Sequence, residues 1–183
     1  MTPAPRSVTS EPARFEALFE AELPYVWTSL RRLGVHARDL EDVAHEVFLA
    51  VYRRIAELDA SRSPRPWLFA FALRHAADYR RLARHRAELL GDDDPPRPPD
   101  SSPTALEAIS RRERAAFVER ALEALDMDRR AVVILHDLDE VPMPEVARTL
   151  GIPLNTGYSR LRTGREELAA VLRREAKVLG GTP

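Results

Sequence analysis

The sequence predicts an all-α protein built as two small helical domains joined by a flexible linker. Apolar residues recur at three- and four-residue spacing through most of the chain, the period of a helix with one buried face. The stretch from Gly91 to Thr104, GDDDPPRPPDSSPT, has no such period; it is acidic and Pro-rich and has too little apolar surface to bury itself. The stretch from Pro144 to Arg165, PEVARTLGIPLNTGYSRLRTGR, has the form helix, tight turn, helix. These observations divide the chain into a domain over 10–90, a linker over 91–104 and a second domain over 105–178.

The first helix is expected from about Glu11 to Leu33, with Phe15, Leu18, Phe19, Leu23, Val26, Trp27 and Leu30 as its apolar stripe and Gly34 ending it. Pro24 is expected to kink or split it. The second helix reads DLEDVAHEVFLAVYRRI, with Asp39 as its N-cap and Asp42 in the first turn, where the helix dipole favours an anion. Leu40, Val43, Ala44, Val47, Phe48, Val51 and Ile55 face inward; Asp42, His45, Glu46, Leu49 and Arg53 face outward. An acidic outward face is usually just solvated, but Leu49 among the charges suggests a protein-docking surface. The His45-Glu46 pair is not a zinc-protease motif, because position 49 is Leu where a second His would be needed.

Asp59 to Arg65, DASRSPR, reads as a loop, and Pro66 suits the first turn of the helix that follows. Trp67, Leu68, Phe71, Ala72 and Ala76 make its apolar stripe, with Trp67 read as core. Its other face carries Arg74, His75, Tyr79, Arg80, Arg81, Arg84 and Arg86, a one-signed run interleaved with aromatic rings that suits stacking and phosphate contact on single strands. Beyond the linker, Leu106, Ile109, Phe117, Val118, Ala121 and Leu122 predict a long amphipathic helix. Asp126 or Asp128 caps the next helix, which carries Val132, Val133, Ile134 and Leu135.

In the helix-turn-helix stretch, Val146, Ala147 and Leu150 share one face, Gly151 supplies the positive φ of a helix end, and Pro153 stops the first helix. Asn155 is expected to cap the second helix, with Leu161, Leu168 and Leu172 on its inner side. Its outward side offers Thr156, Ser159 and Arg160, with Arg162 and Arg165 nearby. Such a pair fits a recognition helix entering the DNA major groove, or a helical hairpin whose arginines only solubilise it. On the DNA reading Arg160 is the candidate for base edges, and Arg162 and Arg165 for the backbone.

The chain has 183 residues, enough for one or two small domains; 44% are hydrophobic and 31% charged, so a core and a solvated surface are both expected. The net charge of −1 does not advertise nucleic-acid binding, but its distribution does: an acidic opening is followed by an arginine cluster, and Lys177 is the only lysine. With no cysteine there are no disulfides, thiol catalysis or thiolate metal sites, which fits a reducing cytoplasm. No apolar run approaches a membrane span and the N-terminus has no signal core, so no membrane insertion is expected. There is no Gly-rich phosphate loop, nucleophile elbow or titratable cluster with catalytic spacing; neither enzyme activity nor a cofactor or metal is expected.

Three motifs in one order, DLEDVAHEVFLAVYRR, WLFAFALRHAADYRR and EVARTLGIPLNTGYSRLRTGRE, resemble regions 2 and 4 of sigma-70-family factors of the extracytoplasmic-function (ECF) class. The resemblance covers roughly Phe15 to Leu172. It implies a region 2 bundle, a region 4 helix-turn-helix and a promoter-specificity subunit. Asp42, His45, Glu46, Leu49 and Arg53 would dock on core RNA polymerase. Arg62 and Arg65 in the loop before Trp67, with Arg74, His75, Tyr79, Arg80, Arg81 and Arg84, would hold the melted minus-ten strand of promoter DNA. Asn155, Thr156, Tyr158, Ser159, Arg160, Arg162 and Arg165 would read the minus-35 element. An anti-sigma factor is implied as a further partner. The chain departs from the family in His45 for Gln, in Arg74 where Asn is frequent, and in Asn155-Thr156-Gly157 for Gly-Thr-Val. The last loses a branched apolar residue and puts a helix-interior Gly in its place, at about 1 kcal/mol against Ala; Tyr158 is expected to fill the gap. A helix-turn-helix regulator acting without polymerase is the alternative, and needs neither the acidic docking face nor the linker.

Overall fold

The computed structural model describes residues 10–90 and 116–179. The linker over 91–104, Leu106, Ile109 and the ends of the chain lie outside these. Among the described residues the architecture is helical throughout. Helix α1 spans Glu11–Arg32, α2 Leu40–Tyr52 and α3 Arg65–Leu90. In the second half α4 covers 116–123, α5 Met127–Val133, α6 Met143–Leu150 and α7 Leu154–Leu179.

The first three helices pack pairwise on one another. Helix α1 passes Pro24 as one helix rather than splitting. Pro24 is exposed, so water can take the carbonyl bond that its missing N–H leaves open. Gly34, at φ +89°, turns the chain out of α1, and the Val35 N–H donates to the Leu30 carbonyl at 3.0 Å, closing the helix end. The inward set of α2 is buried as the spacing predicts, but Asp39 does not cap it with its side chain. A 3-10 turn over Ala37–Asp39 leads in instead, and the Asp39 carboxylate accepts the Tyr79 hydroxyl at 2.7 Å. Phe69, outside the predicted stripe of α3, is fully buried, and Trp67 is half-buried, edge-on to Phe71 with ring centres 4.9 Å apart.

In the second half, Asp126 caps α5, accepting the Arg129 N–H at 2.9 Å. A π turn over Ile134–Leu138 follows, which no residue spacing announced. Gly151 ends α6 at φ +64° as expected. Helix α7 begins one residue ahead of Asn155, and the Gly157 N–H donates to the Pro153 carbonyl at 3.1 Å. Asn155 therefore lies in the first turn and is not the cap. Of the expected inner residues of α7, Leu161 is buried and Leu168 half-buried, but Leu172 is 44% exposed. The buried residues of the two halves belong to one hydrophobic cluster, from Leu18 through Phe71 to Leu125, Ile134 and Leu161.

Candidate nucleic-acid and protein interfaces

The helix-turn-helix is held by two close approaches. A β-carbon on Gly157 would lie 2.8 Å from the Met143 sulfur, so Met143 of α6 occupies the space that the absent branched residue leaves. Tyr158 does not fill it; its side chain is 52% exposed and points away from the core. A β-carbon on Gly164 would lie 2.9 Å from a methyl of Val133, which lets α7 pack tightly on α5. These contacts fix which side of α7 faces out. Asn155, Tyr158, Ser159, Arg162 and Arg165 are exposed, and Thr156 and Arg160 are half-buried.

The arginines of this face are paired within the protein. Arg160 is bonded to Asp128 at the start of α5. Arg165 grips Asp137 of the π turn with two bonds, Nε at 2.9 Å and an Nη at 2.6 Å, and this pairing raises its pKa. Arg162 donates to Glu166 one turn on at 2.9 Å, and Arg129 to Glu167. Asp128 and Asp137 are partners that the sequence reading missed; nothing in their local spacing ties them to α7.

The outward set of α2 comes together as predicted: Asp42, His45, Glu46, Leu49 and Arg53 are all exposed. The apolar part of this surface is larger than Leu49 alone. Phe19 and Tyr52 are also exposed, at 36% and 46%, and Phe15 packs against Tyr52 with ring centres 5.0 Å apart. The i+3 spacing of Leu49 and Tyr52 was the available signal. The two sites predicted for the first half abut, because His75 Nδ1 lies 3.6 Å from a Glu46 carboxylate oxygen.

The set predicted for the melted strand divides in two. Arg62, Arg74, Arg81 and Arg84 are exposed. Arg65 is exposed as well, but its Nε donates to Glu22 at 3.0 Å and its guanidinium lies 5.2 Å over the Tyr25 ring. Tyr79 is turned to Asp39, and burial with that bond pushes its pKa up to about 12. Arg80 is half-buried and points at the Leu33 carbonyl, 3.5 Å away, where burial lowers its pKa. A cleft of about 310 Å³ separates the loop before Trp67 from α6. Among the described residues no group of three or more acidic or histidine side chains is placed to hold a metal, and no helix is long and apolar enough to cross a membrane.

Comparison with known proteins places the chain in a family. Residues 18–86 match the model of Sigma-70 region 2 and residues 118–168 that of Sigma-70, region 4. The chain is 30% identical over 155 residues to the RNA polymerase sigma factor CnrH of Cupriavidus metallidurans, covering 78% of each protein. It is 28% identical over 163 residues to the ECF RNA polymerase sigma factor RpoE of Cereibacter sphaeroides, covering 85% of this chain and 84% of that one. In fold it is similar to the sigma factor RpoE of Bartonella quintana solved with the anti-sigma factor NepR, with a TM-score of 0.61 at 18% identity over 87% of this chain and 96% of that one. The chain belongs to the sigma-70 family of RNA polymerase sigma factors, in its extracytoplasmic-function class.

Proposed function

We propose that this sigma factor recruits core RNA polymerase through the outward face of α2 and directs it to promoters by reading duplex DNA with α7. The observation that carries this reading is the pairing, in one chain, of an exposed acidic-apolar face on α2 with a helix-turn-helix whose second helix turns Ser159, Arg162 and Arg165 outward, with Arg160 half-buried beside them. A regulator acting without polymerase would have no use for the first surface. The arginine face of α3, with Arg62 and Arg65 in front of it, holds the melted minus-ten strand by stacking and phosphate contact. The protein acts by recruitment and strand capture, with no covalent step of its own, and works in the cytoplasm where the polymerase is. An anti-sigma factor, as seen with the Bartonella relative, is the expected inhibitor.

Run-off transcription with core polymerase on a library of genomic fragments tests the reading. Discrete transcripts that start downstream of a shared pair of sequence elements are expected. Transcription no different from core polymerase alone would contradict it.

A further inference from the structure

The start of α5 stands beside the face that α7 turns outward. An open cleft of about 440 Å³ lies between the two helices, with Asp128 and Arg129 on one side and Ser159, Arg160 and Thr163 on the other. Close contact holds the helices in register. A β-carbon on Gly164 would lie 2.9 Å from a Val133 methyl and 3.6 Å from the Arg129 β-carbon, and Arg129 also pairs with Glu167 of α7. Asp128 and the outward face of α7 are therefore presented as one surface. The two acids of the cleft are not equivalent. Asp126 is committed within α5: one oxygen takes the Arg129 backbone N–H at 2.9 Å and the other pairs with Arg129 Nε at 3.1 Å. Asp128 holds a single Nη of Arg160 with one oxygen, and its other oxygen has no hydrogen-bonded partner among the described residues. The Asp128 side chain is 65% exposed, against 28% for Arg160.

Arg160 has the donors to take both acceptors of a guanine, O6 and N7, in the major groove. Once it turns to a guanine, Asp128 is left as an acceptor without a donor, facing DNA. The groove offers it few partners. Only the amino groups of cytosine, N4, and adenine, N6, donate there; guanine O6 and N7, thymine O4 and the phosphates are acceptors and repel it. An ionised carboxylate left unpaired at an interface costs affinity, so a base without an amino group is rejected as well as unrewarded. We propose that Asp128 is a second base-reading residue, which on the cognate element exchanges Arg160 for a base amino group while Arg160 exchanges it for guanine. One ion pair within the protein is thereby replaced by two contacts on DNA. The second comes from α5, the helix ahead of the helix-turn-helix. The inference rests on the duplex reading by α7 given above.

The test is binding of the polymerase-bound full chain to a promoter found by run-off transcription, with each base pair of the minus-35 element varied in turn. Asp128→Ala should lose about tenfold of discrimination at one base, in line with one good base contact. Asp128→Asn, nearly isosteric at an exposed position, keeps the fold and should newly accept thymine or guanine at that base, because an amide donates as well as accepts. N4-methylcytosine or N6-methyladenine at that base puts a methyl group in place of the groove-side hydrogen. The methylated form of the cognate base should cost the wild type about tenfold and cost Asp128→Ala nothing further; which of the two does so distinguishes cytosine from adenine. No change in Asp128→Ala, or a uniform loss on every variant, would make the acid a bystander or a structural group and overturn the proposal. A methylated base that costs both proteins alike would also overturn it, since Asp128 would not touch the amino group. If wild-type holoenzyme is indifferent to every change in the minus-35 element, the duplex reading by α7 has failed and the proposal falls with it.

Discussion

The outward faces of α2 and α7 are both charged surfaces on exposed helices, yet they are prepared in opposite ways. On α2, the side chains of Asp42, His45, Leu49 and Arg53 have no hydrogen-bonded or ion-pair partner among the described residues, and only Glu46 has a polar neighbour, His75 Nδ1 at 3.6 Å. On α7, Arg160, Arg162 and Arg165 each hold a carboxylate. A partner can dock on α2 without undoing anything. DNA can engage α7 only by exchanging acids for phosphates and base edges, so part of the gain in each new contact offsets a lost one. The difference teaches that an arginine-rich helix in a chain of net charge −1 need not cling to every duplex it meets.

The sharpest way to break the comparison is on the α2 side. Asp42→Arg with Glu46→Arg should abolish co-purification with core polymerase, while the helical circular dichroism is kept and stability falls by no more than the ~1 kcal/mol of a reversed charge in the first turn, because both side chains are exposed and outside the core. Normal co-purification would remove α2 as the docking face. On the α7 side, Gly164→Val should destabilise the second half by about 1–3 kcal/mol, since its side chain would drive into Val133 and Arg129. Thermal unfolding reads this directly, and an unchanged melting temperature would show that α5 and α7 can separate at no cost.

Smaller effects sharpen the contrast. In binding of the polymerase-bound protein to promoter variants, Arg160→Ala should cost roughly 1–3 kcal/mol on the cognate minus-35 element and relax preference at one base. Equal loss on every promoter variant would make Arg160 a backbone contact. Arg165→Ala should weaken binding evenly across sequences and reduce its salt dependence. The smallest change is expected for Asp137→Asn, which leaves Arg165 without its carboxylate. Binding to non-cognate duplex should rise a few-fold, in keeping with the ~1 kcal/mol or less of an exposed ion pair. A fall in non-cognate binding would show that Asp137 positions Arg165 rather than competing for it.

Much of this was legible in the residues. The apolar spacing located all the buried positions of α2, the exposed set Asp42 to Arg53, and Gly151 as the end of α6. Those features are local: each depends on a helical period or a single backbone conformation. What was not legible depends on the approach of segments distant in the chain. Tyr158 was expected to fill the space beside Gly157, but Met143 does so from another helix. Asn155 was expected to cap α7, but the turn after Gly151 starts the helix earlier at Leu154. Arg80 and Arg130 look like any other arginine in sequence, yet both end at the Leu33 carbonyl. Asp139 could not be told from its neighbours Asp137 and Glu140 until Tyr25 and Arg32 were seen to converge on it.

The two surfaces act together, joining partners that neither engages alone. The most direct measurement is binding of the full chain to a promoter fragment across a range of salt concentrations, with and without core RNA polymerase. Tight, promoter-specific and salt-sensitive binding is predicted only when core polymerase is present, with a steep loss as salt rises. Promoter-specific binding of equal strength without polymerase, or none with it, would contradict the account.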